Sequence, residues 1–283
     1  MNIHAANLSK YPIQMPSRKV LLILGMHRSG TSLSANWLGS CGLDLGQNLI
    51  GATPSNILGH FEDVDIVEFH EKLLRFNDTS LYQGEGPPLV FNEYHIAKAR
   101  SLVYLRDQFG DQWGWKQPRA CLFLPLWRKV LPEAHYFLIY RPFEEVITSL
   151  YRREFKKLAR KNPFPSSAIK QFQFRKSQKK LLRQYLSMWV RHNQELLDHL
   201  GKLSREKVLL TSVKGLVDKE KQIFHHLTDT WDFQLEHVSL KSIYQPNLLL
   251  SQSLQLPAED PLVLKAREIT LRLKEVEFQT KQG

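Results

Sequence analysis

A chain of 283 residues, 42% hydrophobic and 24% charged, can bury a sizeable core and has the balance of a globular protein, which excludes a disordered or fibrous one. Two cysteines, Cys41 and Cys121, exclude a disulfide framework and fit no zinc spacing, so both are expected as buried small hydrophobes in a reducing compartment, the cytoplasm. The formal charge of +11 is local, because the window Arg152 to Arg183 holds twelve Lys/Arg against the single acid Glu154. No apolar run approaches the ~20 residues of a membrane span.

Residues 1–18 read as a polar leader without the pattern of a signal peptide, and 19–283 as a single domain with a basic helical segment at about 152–183. Lys19 to Leu24 is a short continuous apolar run, the pattern of a buried parallel strand. It enters Gly25-Met-His-Arg-Ser-Gly-Thr-Ser32, after which a helix is predicted through Trp37 and Leu38 to a stop near Gly42. Phe61 to Phe76 predicts an amphipathic helix, 77–92 a surface loop, and His95 to Phe109 a second helix. Trp113 to Gln117 predicts a strand ended by Pro118, Cys121 to Val130 a helix, and Ala134 to Tyr140 a strand. Pro142 suits the start of a helix running past Tyr151. Lys161 to Ser167 breaks the pattern, Ser177 to Leu200 resumes it, and Val208 to Val213 predicts another strand. Helices are expected over Asp218 to Leu227 and Pro261 to Phe278. Strands alternating with helices imply βαβ units, an α/β fold with a central, mostly parallel sheet flanked by helices, and ligands at the carboxyl edge of that sheet.

The loop Gly25 to Ser32 has the chemistry of a phosphate cradle. Backbone N–H groups at a helix start converge on an anion, and the helix dipole adds positive potential. Gly30 permits close approach, Arg28 offers a planar fork, and Ser29, Thr31 and Ser32 supply hydroxyls and amides. Gly25 and Gly30 have the separation of an ATP-type loop, but Thr31 stands where its lysine would be and the cation has moved to Arg28. With no acid ending a strand to hold magnesium, the loop suits a phosphate ligand bound without metal.

These eight residues resemble the 5′-phosphosulfate loop of the PAPS-dependent sulfotransferases (PAPS being 3′-phosphoadenosine 5′-phosphosulfate) in their bacterial-type form. Arg141-Pro-Phe-Glu-Glu-Val-Ile-Thr-Ser149, after the strand ending at Tyr140, resembles the family's 3′-phosphate motif, with Arg141 and Ser149 as the phosphate ligands. The resemblance implies a three-layer P-loop-like fold, PAPS as co-substrate, PAP as product, no metal, and transfer of a sulfuryl group to an acceptor hydroxyl, with a carbohydrate as the suggested acceptor.

The same resemblance suggests the reacting groups. Glu62, in Gly59-His-Phe-Glu-Asp63, is expected as the base, with Asp63, His60 and His70 as rivals. Lys116, in Lys-Gln-Pro-Arg119, is expected to stabilise the leaving group together with Arg28, although Gln117 stands where the family commonly has an acid. Arg119 reads either as a phosphate or acceptor contact or as a surface ion pair. Trp37 and Tyr151 could stack on adenine but suit a core as well. The basic window suggests a lip for an anionic acceptor, or simply a solvated helix face; no nucleic-acid module is present. A metabolite kinase and a non-catalytic nucleotide or polyanion binder remain as competing readings.

Overall fold

The computed structural model describes residues 18–53, 59–84, 86–161, 167–244 and 256–278, with side chains described outside 158–177. Four strands, β1 (Lys19–Leu24), β2 (Gln112–Lys116), β3 (His135–Tyr140) and β4 (Val208–Ser212), form one all-parallel sheet in the order β2-β1-β3-β4. Leu21 is in register with Gly114 on one side and His135 on the other, so β1 lies between the two strands that carry the other motifs.

Side chains alternate across a strand, and here both sets are apolar. Leu22, Leu24, Trp115, Tyr136 and Leu138 face one core, covered by α2 (Val64–Phe76), α3 (Glu93–Asp107), α4 (Leu124–Val130), α5 (Phe143–Lys161), α6 (Ser167–Leu200) and α9 (Pro261–Glu275). Leu21, Ile23, Phe137, Ile139 and Leu209 face the other, covered by α1 (Thr31–Ser40), α7 (Val213–Asp218) and α8 (Glu220–His225). The result is the expected α/β sandwich of three layers. At ~1.5–3 kcal/mol for each large apolar side chain removed from water, the two faces dominate its stability.

Several boundaries differ from the sequence reading. The helix expected from Phe61 begins at Val64, because Asp63 caps it by accepting from the Asp65 and Ile66 amides at 3.0 and 3.3 Å. The helix expected over Cys121 to Val130 is a 3₁₀ segment, Pro118–Phe123, followed by α4, since Pro125 has no N–H to continue a helix through that point. The helix expected from Ser177 begins at Ser167; its Lys, Gln and Arg residues favour helix without an apolar stripe. The helix expected over Asp218 to Leu227 is α7 and α8 followed by a π turn, His226–Thr230. Ser212 starts α7 early by accepting from the Gly215 amide at 2.9 Å.

Residues 1–17 of the expected leader 1–18 lie outside the described residues, as does most of Tyr244 to Asn247. Among the described residues no helix is long and apolar enough to cross a membrane. Cys41 and Cys121 are buried and unpaired, as expected.

Candidate active site at the carboxyl edge of the sheet

The loop after β1 makes its turn through positive φ at Gly25 (+154°), Arg28 (+67°) and Gly30 (+99°). A Cβ on Gly25 would lie 2.1 Å from the Ile139 carbonyl oxygen, and one on Gly30 would lie 2.5 Å from Val213 Cγ2. The glycines therefore let the loop press against the ends of β3 and β4. Arg28 tolerates the left-handed region at a cost of about 1–3 kcal/mol, a strain that clusters at functional sites.

That conformation directs Arg28 across the sheet edge. Its Nε donates to Ser149 Oγ on α5 at 2.9 Å. Burial lowers the affinity of the Arg28 guanidinium for its proton, and Arg153 and Arg141 lower it further, so three arginines share this corner. Arg141 is 4% exposed; its Nε pairs with Glu145, its carbonyl accepts from Trp189 Nε1 of α6 at 3.1 Å, and its Nη2 is buried without a partner among the described residues. Ser29 is 0% exposed and its Oγ also lacks a partner among the described residues. Thr31 is buried at the first position of α1, Ser32 follows it, and Gly30 supplies the carbonyl that accepts the Ser34 amide at 3.0 Å. Unpartnered buried donors beside clustered cations fit a phosphate ligand. The loop and the Arg141–Ser149 motif are thus one surface, with Arg28, Ser29, Gly30, Thr31, Ser32, Arg141 and Ser149 together.

Glu62 and Lys116 meet next to it. A strap pairs 48–50 with 60–64: Ile50 N donates to the Glu62 carbonyl at 2.8 Å and Val64 N to the Asn48 carbonyl at 3.0 Å. Phe61, at φ +53°, turns the chain so that Glu62 points inward. Lys116 Nζ, at the end of β2, donates to Glu62 Oε1 at 2.7 Å and to the His60 carbonyl at 2.8 Å. Gln117 Nε2 donates to Glu62 Oε2 at 3.2 Å, and Arg119 Nη1 lies 3.7 Å from the same oxygen. Burial alone would push the Glu62 carboxyl up; the His60 ring, 3.8 Å from Glu62 Oε1, and the Lys116 ammonium outweigh it and hold the carboxyl well below the usual carboxylate range. Glu62 is therefore ionised.

The other three candidate bases each have partners of their own. Asp63 is occupied as the α2 cap. His70 is 0% exposed among Phe69, Trp115, Phe123 and Trp127, and its Nε2 accepts from Trp127 Nε1 at 2.8 Å. The His60 ring is engaged with Thr53 Oγ1 at 2.9 Å. Arg119 divides its guanidinium between Glu62 and Glu71, the latter at 3.2 Å, so it belongs to this ion-pair group. Trp37 is not an adenine stacker: it is fully buried against Phe224 and donates to the Val238 carbonyl at 2.8 Å.

Two histidines were not singled out in the sequence. His27 lies in the loop itself. Burial pulls its imidazole well below the ordinary value, and it senses Glu62, His192, Arg119 and Lys116. His192, on α6, has its ring centroid 6.4 Å from that of His27. Its Nδ1 lies 2.9 Å from the Met188 carbonyl and must donate there, which leaves Nε2 with the lone pair, buried and without a partner among the described residues. Burial pushes its imidazole down to about 4, so it is neutral near pH 7. The available signal was a run of polar residues, Arg191-His-Asn193, on the buried side of a long helix.

Among the described residues no cluster of three or more His, Cys, Asp or Glu is placed to hold a metal ion. No family model matches the chain, and no curated protein matches it. Among solved structures it is similar to a sulfotransferase domain from the curacin biosynthetic pathway, at 16% identity and a TM-score of 0.49, covering 91% of this chain and 98% of that one. It is also similar to a sulfotransferase domain from the Synechococcus PCC 7002 olefin synthase, at 15% identity and 0.49, covering 96% and 98%. A third is the sulfotransferase STF1 of Mycobacterium tuberculosis H37Rv, at 10% identity and 0.45, covering 92% and 77%. None of these likenesses assigns an activity to this chain.

Proposed function

We propose that the chain is a sulfotransferase that takes PAPS as co-substrate and an alcohol, a carbohydrate hydroxyl in the first instance, as acceptor. The observation that carries this reading is the convergence of two phosphate-type motifs: Arg28 from the loop after β1 bonds to Ser149 from the helix after β3, with Arg141 beside them. A nucleotide phosphorylated at both the 3′ and 5′ positions of one ribose presents two anions to such a surface. Ser29 Oγ and Arg141 Nη2 are donors that those anions would satisfy.

PAPS supplies the sulfuryl group, its S–O bond to the phosphate breaking as the acceptor O–S bond forms. Arg28 and the loop amides hold the 5′ end, and Arg141 and Ser149 hold the 3′-phosphate. Lys116 turns from Glu62 toward the charge developing on the leaving phosphate. Losing that ammonium raises the proton affinity of Glu62, which then takes the acceptor's proton. The pair is therefore coupled: the movement that stabilises the leaving group also frees the base. Lys156, Lys157, Lys179 and Lys180 are exposed along α5 and α6, and form the lip for an anionic acceptor.

The test is a thermal-shift panel of PAP, ADP and ATP, each with and without magnesium. PAP should raise the melting temperature most, and equally in both conditions. Preference for ATP with magnesium would point to a kinase, and PAP binding without turnover on an acceptor panel would point to a binding protein.

A further inference from the structure

At the opposite end of the sheet from the catalytic edge lies a cavity of about 360 Å³. Arg128 and Lys129 reach it from the last turn of α4, Lys202 from the segment after α6, and Lys207 from just before β4. Two of these cations have carboxylate partners: Lys129 pairs with Glu93 at 3.4 Å and Lys207 with Glu133 at 2.5 Å. Both carboxylates are more than three-quarters exposed, so the pairs are weak and yield readily to a better ligand. Arg128 and Lys202 have no acidic partner among the described residues.

A second, independent feature points to a ligand. Tyr136, the second residue of β3, lines the cavity and is 1% exposed, yet its hydroxyl has no hydrogen-bond partner among the described residues. A phenylalanine would fill the same apolar space, so the hydroxyl itself needs an explanation. Burial pushes its proton affinity up to about 12 against the opposing influence of Arg128. It is therefore a neutral O–H beside a guanidinium, which suits it to donate to an anion. Pro125, Pro132 and Leu203 give the cavity an apolar wall, and its volume exceeds that of a bare tetrahedral ion.

We propose that this cavity is a second anion site, separate from the catalytic edge, that binds the phosphate or sulfate head of a small organic ester. Arg128 and Lys202 hold the head, Tyr136 donates from below, and the prolines pack on the organic group. The site is remote from the groups assigned to PAPS and does not depend on that assignment.

Isothermal titration of the full-length chain with phenyl phosphate, inorganic phosphate and inorganic sulfate tests it. Phenyl phosphate should bind at least tenfold more tightly than either inorganic ion. The double variant Arg128→Ala/Lys202→Ala should lose at least tenfold in affinity for phenyl phosphate. Tyr136→Phe should weaken binding severalfold with an unchanged circular dichroism spectrum. The double variant Arg28→Ala/Arg141→Ala should retain this binding. Three outcomes would overturn the proposal. The first is loss only in Arg28→Ala/Arg141→Ala, which places the anion at the catalytic edge. The second is equal loss in Lys214→Ala/Lys221→Ala, exposed elsewhere on the surface, which reduces the effect to net charge. The third is unaltered affinity in Tyr136→Phe. Inorganic phosphate binding as tightly as phenyl phosphate would remove the organic ester from the assignment.

Discussion

Arg28 Nε donates to Ser149 Oγ at 2.9 Å, across 121 residues of sequence. The bond exists because β1 and β3 are neighbours and their carboxyl ends release a loop and a helix at the same level. Removing Arg28 takes away charge-assisted hydrogen bonds, each worth about 1.5–3 kcal/mol, so Arg28→Ala should weaken PAP by about ten- to a hundredfold. Arg141→Ala should do the same, whereas Ser149→Ala, which removes a neutral donor, should cost about three- to tenfold. Calorimetric titration with PAP checks all three.

Glu62→Gln should leave PAP binding intact and lower turnover by at least about a hundredfold, the usual yield of a positioned base. It should also reduce stability, by up to about 3–5 kcal/mol, because Lys116 is left buried beside a neutral amide. Adding Lys116→Met should restore much of that stability without restoring turnover. A urea-unfolding double-mutant cycle measures the coupling. Full activity in Glu62→Gln would move the base elsewhere.

Gly30→Ala tests the loop. At φ +99° an alanine is strained, and its Cβ would press on Val213 Cγ2. The expected cost is about 2 kcal/mol in stability together with weaker PAP binding, since the loop must retreat from β3. Gly42→Ala is the control: it shares the positive φ, at +100°, but its Cβ meets nothing within 4 Å. It should lose stability alone.

The buried histidines set a pH dependence. The imidazole of His70 is pushed down to about 3 by burial, and that of His192 to about 4. Both lie below the unfolded value of about 6.5. In the window between, the unfolded chain binds protons that the folded chain does not. The stabilising contribution is thus complete above pH 6.5 and is lost as pH falls, at about 1.4 kcal/mol per pH unit for each group. Unfolding free energy should fall between pH 7 and 5. His70→Phe should show a shallower fall from a lower starting point, because Trp127 Nε1 loses its acceptor.

Neutralising Lys156, Lys157, Lys179 and Lys180 together should raise the KM for an anionic acceptor at low salt, and the effect should fade at high salt. PAP affinity should change little. An unchanged KM would leave these lysines as a solvated helix face.

The local pattern of the chain determined its strands and most of its helices. Val20 to Leu24 and Tyr136 to Tyr140 are apolar on every residue, and a strand buried on both faces requires that. Gly25, Arg28 and Gly30 marked the sharp loop after β1 because their spacing is a local requirement of the turn. What the sequence could not reveal is partnership. Lys116 and Glu62 are 54 residues apart, and only the parallel pairing of β1 with β2, together with the strap that turns at Phe61, brings them to 2.7 Å. His192 and Trp189 reach the site because α6 packs over the Pro118–Phe123 segment, and helical periodicity records which face is buried but not what it is buried against. The tertiary structure decided these neighbours because strand order and helix docking are set by the burial of two whole sheet faces, a sum over many residues that no short segment carries.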